Sequence, residues 1–365
     1  MIKDFIYQIK SLYKFYLIPN KEKEVIFFSE GQNYFNTFIN YIKIIEKYKR
    51  VIYITTDSND PIYKRNFTNL KIIYCKNIFL LILLMNNISC KNLIMTMPDL
   101  NNYEIKKSKN VTNYIYLFHS LVSTHMVYKS NAFDSYDKIL CITQNQYDEL
   151  MLNKKLKNLN YELYKSNYPK LNVIGGQFET LKKDKIVTIA PSWGTDNIFE
   201  NENFEILLSK LVSNGFKIIL RPHSNVPLKT YSFLKILRKK YKEESIIIED
   251  NNANFFDTFK SNYLITDWSG IAIEYFLITK KPVIFVDTKA KIRNKNFDEN
   301  NDNIPLEVSI RNKIGLIIKP LELSNINFYL EEIDKKNYKN EIELIEKKIL
   351  FSNQINENNF NQILN

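Results

Sequence analysis

Short runs of β-branched and aromatic residues alternate along the chain with longer segments whose apolar residues recur at helical spacing. In the first half, helical segments such as 35–48 and 144–156 separate several runs of strand length. Continuous apolar strands that alternate with helices are typical of a parallel sheet buried on both faces. The predicted strands of this half are EVIFFS (24–29), RVIYITT (50–56), KIIYC (71–75), NLIMTM (92–97), NYIYLFH (113–119) and KILCIT (138–143).

The same alternation restarts near residues 165–180, where Pro169, Gly175 and Gly176 cluster. The strands predicted after it are KIVTIAPS (185–192), FKIILRPH (216–223), SIIIED (245–250), NYLITD (262–267) and KPVIFVD (281–287). A chain of 365 residues exceeds what one hydrophobic core usually spans. We therefore predict an α/β protein of the GT-B class: two Rossmann-like, doubly wound domains, 1–170 and 171–365, facing each other across a cleft.

Composition is that of a globular protein, with 45% hydrophobic and 25% charged residues. The three cysteines are widely spaced and suggest neither a metal site nor a disulfide framework, so we expect a cytoplasmic protein. The longest apolar run, IFLLILLM (78–85), is too short to span a bilayer. The N-terminus is too interrupted by lysine to be a signal peptide.

The net charge of +11 is compatible with nucleic acid, anionic lipid or a phosphate-rich substrate as partner. Nucleic acid is disfavoured, because the lysines alternate with Asp, Glu and Asn and form no basic stripe with interleaved aromatics. The N-terminal segment has apolar residues at helical spacing, with lysines on its other faces. This helix either docks on its own domain or lies on an anionic membrane surface. The apolar residues are Ile2, Phe5, Ile6, Ile9 and Leu12.

Uncommon residues follow four of the predicted strands at their carboxyl ends. Ligands of open α/β sheets bind beyond these ends, so the residues are candidates for a binding site. Both tryptophans and two of the three histidines are among them. The candidates are His119 and Ser120, then Ser192, Trp193 and Gly194, then Arg221 and His223, and last Asp267, Trp268, Ser269 and Gly270.

The segment TDWSGIAIEYF (266–276) has the pattern of an anion site at a helix start. Ser269 is a good N-cap, Gly270 would let a ligand approach the backbone, and the free amides of the first turn attract anions. Glu274, one turn into the helix, could accept hydrogen bonds from ribose hydroxyls. The alternative is an ordinary capped helix with a solvated Glu274.

The segment RPH (221–223) adds cationic and hydrogen-bonding groups. Arg221 can bind phosphate oxygens through two nitrogens, and His223 can donate to a pyrophosphate. A surface arginine beside a half-buried histidine is the alternative.

His119 and His125 are six residues apart, a spacing that disfavours a shared metal site. On a helix, metal-binding histidine pairs are three or four residues apart, and no cysteine or carboxylate cluster supplies further ligands. We therefore expect no metal and no cofactor. His119 would face the phosphate site of the second domain, where a general base for an acceptor hydroxyl belongs. His125 would orient the segment that follows.

Four motifs together resemble the CDP-glycerol glycerophosphotransferase family, whose members are GT-B enzymes that prime or polymerise teichoic acids and related capsular phosphopolymers. The motifs are FHSLVSTHMVYKSNAFDSYDKILCIT, APSWG, RPHSN and LITDWSGIAIEYFLITKKPVIFVDT, in this order between about residues 110 and 300. The chain has Phe-His-Ser where many members have Trp-His-Gly, and Asp-Trp-Ser-Gly where many have Asp-Tyr-Ser-Ser.

The resemblance implies two catalytic histidines, His119 as the base and His223 as the pyrophosphate contact. It also implies a CDP-linked donor, glycerol or ribitol, and an acceptor hydroxyl on a lipid-linked or polymeric glycan. CMP would be released, and the enzyme would sit peripherally on the cytoplasmic face of the membrane. The residues expected to bind the donor phosphates are Arg221, Ser192, Trp193, Gly194, Asp267, Ser269 and Gly270, and the residue expected to bind the ribose is Glu274.

Two other functions are compatible with the same pattern. A GT-B glycosyltransferase of capsule or lipooligosaccharide synthesis would use a nucleotide sugar and release a nucleoside diphosphate. A non-catalytic saccharide- or nucleic-acid-binding protein would bind without releasing any nucleotide.

Overall fold

The chain forms two parallel sheets, each with helices on its faces. The computed structural model describes residues 2–168, 170–171, 185–223, 225–242, 244–249, 255–298, 304–351 and 357–365. Pro169, Gly175 and Gly176, on which the predicted boundary depends, lie outside the described residues. The domain limits 1–170 and 171–365 therefore stay predictions.

The first sheet has seven strands in the order β3-β2-β1-β4-β5-β6-β7, all paired in parallel. All residues of β1 and β2 are buried, as expected for strands with helices on both faces. The strands are β1 (Val25–Ser29), β2 (Val51–Thr55), β3 (Leu70–Tyr74), β4 (Cys90–Met95), β5 (Val111–Leu117), β6 (Lys138–Cys141) and β7 (Glu162–Lys165).

The second sheet has six parallel strands in the order β10-β9-β8-β11-β12-β13. The order 3-2-1-4-5-6 is that of a doubly wound dinucleotide-binding sheet, and the first sheet repeats it with one strand more. The predicted fold class is confirmed. The strands are β8 (Ile186–Ile189), β9 (Lys217–Leu220), β10 (Ile246–Ile248), β11 (Tyr263–Thr266), β12 (Val283–Val286) and β13 (Gly315–Ile318).

Several helices begin where a side chain caps the first turn, as Asn77 does for α3 and Thr143 does for α5. The helices are α1 (Ile2–Tyr16), α2 (Phe35–Ile45), α3 (Ile78–Asn87), α4 (Thr124–Val127), α5 (Gln144–Lys157), α6 (Phe204–Ser213), α7 (Leu228–Lys240), α8 (Phe255–Lys260), α9 (Ile271–Thr279), α10 (Leu306–Ser309), α11 (Arg311–Ile314), α12 (Ile326–Lys335), α13 (Lys339–Ile349) and α14 (Glu357–Leu364). No described helix is both long and apolar enough to cross a membrane.

Helix α1 docks on the first sheet through both polar and apolar side chains, and Phe15 is 1% exposed. Gln8 Oε1 accepts the backbone N–H groups of Lys76 and Asn77 at 2.8 and 2.7 Å, and Ser11 Oγ accepts that of Tyr74 at 2.9 Å. Leu12 is buried. The other residues of its apolar pattern, Ile2, Phe5, Ile6 and Ile9, are exposed.

The last helix, α14, packs on the first sheet although it follows the second in sequence. Its backbone carbonyls accept hydrogen bonds from Asn92 Nδ2, at Leu364, and from Lys138 Nζ, at Ile363. Phe360 is fully buried against Tyr41. Helix α14 therefore covers part of the hydrophobic core beside the first sheet.

Candidate active site

The two loops at the crossover of the second sheet are tied together by Asp267. Its Oδ1 accepts the backbone N–H of Ser192, after β8, at 2.7 Å and that of Trp268, after β11, at 2.6 Å. The side chain is 1% exposed, and burial raises its pKa. In doubly wound sheets the ligand crevice lies at this crossover. Asp267 thus fixes the crevice wall from inside the protein.

Trp193 and Gly194 form the surface of this wall. Gly194 adopts a φ of +77°, which favours glycine, and its N–H donates to Asn225 O at 3.1 Å. The guanidinium of Arg293 lies over the half-buried ring of Trp193, with 4.7 Å between Cζ and the ring centroid. Lys291 is buried beneath and donates to Thr195 O.

His223 lies just past β9 and is a neutral hydrogen-bond donor. Its Nδ1 accepts the backbone N–H of Asn225 at 3.1 Å, so the neutral ring carries its proton on Nε2. Burial lowers the pKa of His223 to about 4, and the charges of Arg293 and Arg221 add to this effect. The Nε2–H group can therefore donate to a phosphate oxygen.

Arg221 points into the protein. Its Nη1 donates to Thr258 Oγ1 at 2.9 Å and lies 4.0 Å from Glu249 Oε2, and the residue is 8% exposed. Burial lowers the pKa of this guanidinium, whereas Glu249 opposes the shift. Arg221 thus supplies positive charge behind His223, and direct contact with phosphate stays a prediction.

The start of α9 differs from the predicted cap. The helix begins at Ile271, and no side chain caps it. The prediction that the Ser269 hydroxyl caps the helix is wrong, because the Ser269 carbonyl accepts the N–H of Ala272 instead. Gly270 is approached by the first domain, since a Cβ atom there would lie 2.6 Å from Ser120 Oγ.

His119 lies two residues past β5, on the first domain's side of the crevice. Its ring and that of Tyr34 are nearly perpendicular, with centroids 5.0 Å apart. Burial lowers the pKa of His119 to about 4, and the charges of Lys170 and His223 contribute further. The two histidines therefore share one electrostatic environment although they belong to different sheets.

His125 is placed apart from this pair. Its Nδ1 lies 2.9 Å from Ser123 Oγ and 3.0 Å from Glu149 Oε1. Both contacts use one nitrogen, whereas a Ser-His-acid triad uses both. His125 therefore ties α4 to α5, as expected for a residue that orients its segment.

Glu274 is buried at the junction of the two domains and is 3% exposed. Its Oε1 lies 2.6 Å from Tyr168 Oη, and Lys170 Nζ lies 2.9 and 3.0 Å from its two oxygens. Tyr168 and Lys170 already contact the Glu274 carboxylate in this structure. Its contact with ribose stays a prediction.

The structure thus brings His119 close enough to His223 for their charges to interact, and it packs the start of α9 against Ser120. The side chains of Arg221, Asp267 and Glu274 point into the protein interior. Our sequence reasoning missed the residues Tyr34, Tyr168, Lys170 and Arg293. Of these four residues, only Arg293 lies in a sequence pattern that could have indicated a site. It follows β12 at the carboxyl edge of the sheet, within the basic segment KAKIRNK (289–295).

A separate cavity of about 340 Å³ lies between α5, α10 and α13. It is lined by Glu149, Leu306, Lys313 and Ile345, among others, and none of the predicted site residues lines it. It is therefore distinct from the crevice.

Solved structures similar to this chain support the same architecture. The wall teichoic acid polymerase TagF, solved after soaking with CDPG, has 14% sequence identity and a TM-score of 0.55, with 100% of this chain and 96% of that chain covered. MnaA from S. aureus, solved with UDP, has 12% identity and a TM-score of 0.57, with coverage of 88% and 91%. At these identities the likeness concerns the fold.

A comparison with curated protein sequences found no significant match. The profile of one family, CDP-glycerol:poly(glycerophosphate) glycerophosphotransferase, matches residues 12–295. This range includes His119, His223 and the start of α9, and it spans more than half of the chain. The protein therefore belongs to the CDP-glycerol:poly(glycerophosphate) glycerophosphotransferase family and is an enzyme of this type.

Proposed function

We propose that this enzyme transfers glycerol phosphate, or the related ribitol phosphate, from a CDP-linked donor to a hydroxyl of a lipid-linked, teichoic or capsular glycan. CMP is the second product. The observation that supports the proposal is a pair of neutral histidines, His119 after β5 and His223 after β9, whose charges interact across the two sheets. One can accept a proton while the other donates a hydrogen bond.

The donor diphosphate binds to the second domain. His223 donates through Nε2, and Arg293, held over the ring of Trp193, supplies a cation at the crevice surface. The uncapped first turn of α9, behind Ser269 and Gly270, adds backbone amides and the positive end of a helix dipole. Arg221 adds positive charge from the interior.

The reaction is one in-line displacement at the β-phosphorus of the donor. His119 takes the proton of the acceptor hydroxyl as the acceptor oxygen bonds to this phosphorus. The bond from the phosphorus to the bridging oxygen breaks, and the bridging oxygen leaves with CMP. His223, Arg293 and the α9 amides stabilise the negative charge that grows on the leaving group.

The acceptor is lipid-linked, and the first domain docks on the cytoplasmic face of the membrane. The exposed apolar residues Ile2, Phe5, Ile6 and Ile9 of α1 are accompanied by Ile78, Phe79 and Leu83 of α3. Gln8 ties the two helices at Lys76 and Asn77, so these side chains belong to one side of the first domain. Lys3, Lys10 and Lys14 are exposed beside them. Apolar residues flanked by lysines suit an anionic interface.

The donor is tested with a panel of CDP-glycerol, CDP-ribitol and nucleotide sugars. Each compound is assayed for thermal stabilisation of the protein and, with a glycan acceptor, for nucleotide release. We expect CDP-glycerol or CDP-ribitol to stabilise the protein and to yield CMP. A nucleoside diphosphate released from a nucleotide sugar would identify a glycosyltransferase, and stabilisation without release by any donor would identify a binding protein.

The membrane contact is tested by sedimentation with vesicles. The wild type should sediment with anionic vesicles at low salt and be released at high salt. Phe79→Ser should weaken binding, whereas Leu228→Ser in α7 should not, although the two side chains are 80% and 84% exposed. Equal binding to neutral and anionic vesicles, or equal loss in both variants, would contradict this docking surface.

A further inference from the structure

Tyr168 joins the two domains at the backbone of His119. Its hydroxyl oxygen lies 2.8 Å from His119 O in the first domain and 2.6 Å from Glu274 Oε1 in α9. Burial and the nearby carboxylate raise the pKa of Tyr168, so the hydroxyl keeps its proton. The hydroxyl proton is shared between two acceptors, the His119 carbonyl and the Glu274 carboxylate. The tyrosine therefore holds these two groups close together.

Lys170 makes the second half of this junction. Its Nζ contacts both oxygens of Glu274, at 2.9 and 3.0 Å, and both side chains are largely buried. A buried carboxylate needs such a partner, because an unpaired charge in the interior is strongly destabilising. Glu274 is thus fixed by two groups from the segment that follows β7.

The residues immediately after His119 are held as well. Ser120 Oγ would lie 2.6 Å from a Cβ atom on Gly270, so the two backbones are in close contact. On the other side, Gln146 Nε2 donates to Ser120 O at 2.9 Å and to Val122 O at 3.0 Å. The segment 119–122 is therefore clamped between α5 and the start of α9.

The imidazole of His119 has no such anchor. Its Nδ1 is buried, and none of the described residues hydrogen-bonds to it. General-base histidines are commonly oriented by a carboxylate at this nitrogen. Here the orientation depends on the Tyr34 ring and on the backbone that Tyr168 holds.

We propose that Tyr168, Lys170 and Glu274 form a positioning unit that sets His119 against the donor site of the second domain. Glu274 belongs to the first turn of α9, the same turn whose amides face the donor phosphates. A hydrogen-bonded chain therefore runs from the donor-binding helix through Tyr168 to the backbone of the base. The inference rests on the proposed function, in which His119 is the base, and assigns to Glu274 a role other than ribose binding.

Lys170 also acts on His119 through its charge. Among the residues that the structure describes, Lys170 and His223 are the groups whose charges act on this imidazole, and the phenol ring of Tyr34 packs against it. Lys170 disfavours a proton on His119 and so helps to keep the base unprotonated. Glu274 moderates this effect by pairing with Lys170.

The kinetic test compares Tyr168→Phe with Tyr161→Phe. Tyr161 is also buried, and its hydroxyl donates to Leu150 O at 2.8 Å, so both variants lose one buried hydroxyl. We expect Tyr168→Phe to lower kcat about 10-fold or more with donor affinity unchanged, since small misplacement of a base is costly. Tyr161→Phe should retain full kcat. Equal kcat in the two variants would overturn the proposal.

Glu274→Gln separates positioning from ribose binding. The amide keeps an acceptor for Tyr168 but loses the charge that pairs with Lys170, so kcat should fall while donor affinity stays that of the wild type. A donor affinity weakened at least 10-fold with kcat retained would identify a ribose contact and overturn our assignment.

The third test is independent of turnover. The chain has only three histidines, so ring-labelled histidine gives three NMR signals that single substitutions assign. We expect Lys170→Met to raise the pKa of His119 from about 4 towards the ordinary value, with His125 unchanged. An unchanged pKa of His119 would overturn the proposed effect of the Lys170 charge on this imidazole. Failure of the proposed function would appear separately, as absence of CMP release by the wild type.

Discussion

The backbone N–H of Ser192 donates to Asp267 Oδ1 at 2.7 Å, directly across the crossover of the second sheet. The same oxygen accepts the N–H of Trp268 at 2.6 Å, so one carboxylate oxygen fixes the loops that follow β8 and β11. The Asp267 side chain is 1% exposed, so it holds these loops from the protein interior.

Asp267→Asn and Asp267→Ala should therefore differ in stability. Asparagine retains an oxygen that can accept both N–H groups, whereas alanine leaves two buried donors unpaired. We expect the free energy of unfolding to fall by about 2 kcal/mol or more in Asp267→Ala and by clearly less in Asp267→Asn. Urea unfolding of the two variants measures this. Equal losses would mean that the charge, and not the hydrogen bonding, is what matters.

Gly270 and Ser120 should show energetic coupling across the domain junction. Alanine at Gly270 would meet Ser120 Oγ at 2.6 Å and Val122 Cγ1 at 3.1 Å, so the serine must rotate and the valine must yield. We expect Gly270→Ala to cost about 1–3 kcal/mol. In a Ser120→Ala background the cost should be smaller. A double-mutant cycle in urea measures the coupling, and additive effects would contradict this contact.

The buried His223 should make stability depend on pH. Its folded pKa of about 4 lies below the unfolded value of about 6.5, so unfolding takes up a proton between these pH values. The contribution is fully present above pH 6.5 and is lost as the pH falls towards 4. Relative to His223→Gln, the wild type should lose about 1–2 kcal/mol over this window, after allowance for partial exposure.

Thermal or urea unfolding of wild type and His223→Gln, measured side by side at several pH values, gives this difference. The comparison cancels the opposite contributions of Glu249 and Glu307, whose carboxyl pKa values burial raises to about 7. A stability difference that is constant with pH would contradict the lowered pKa of His223.

The fold could be predicted because its strands are fully buried. Eleven apolar runs predicted strands, and each overlaps a strand of the structure. The strands β7 and β13 were missed because Glu162–Lys165 is an edge strand with no buried residue and Gly315–Ile318 is only four residues long and starts with glycine. The docking of α14 on the first sheet was missed because its contacts are remote in sequence.

The site was predictable only where residues follow strands. His119 lies two residues past β5 and His223 three residues past β9, so the parallel topology places each at the carboxyl edge of its sheet. Orientation could not be predicted. Arg221 and Glu274 look like ligand-binding residues in the sequence, yet tertiary partners far along the chain turn both inward. Tyr168 and Lys170 have no local pattern that would reveal their contacts with α9.

The central claim is that His119 serves the acceptor and His223 the donor. Calorimetry with CDP-glycerol and an assay of CMP release, applied to His119→Ala and His223→Ala, test it most directly. We expect His119→Ala to lower turnover roughly 10²–10⁴-fold with donor affinity unchanged, and His223→Ala to weaken donor binding about tenfold or more. Loss of donor binding in His119→Ala with normal binding in His223→Ala, or full activity in both variants, would contradict the account.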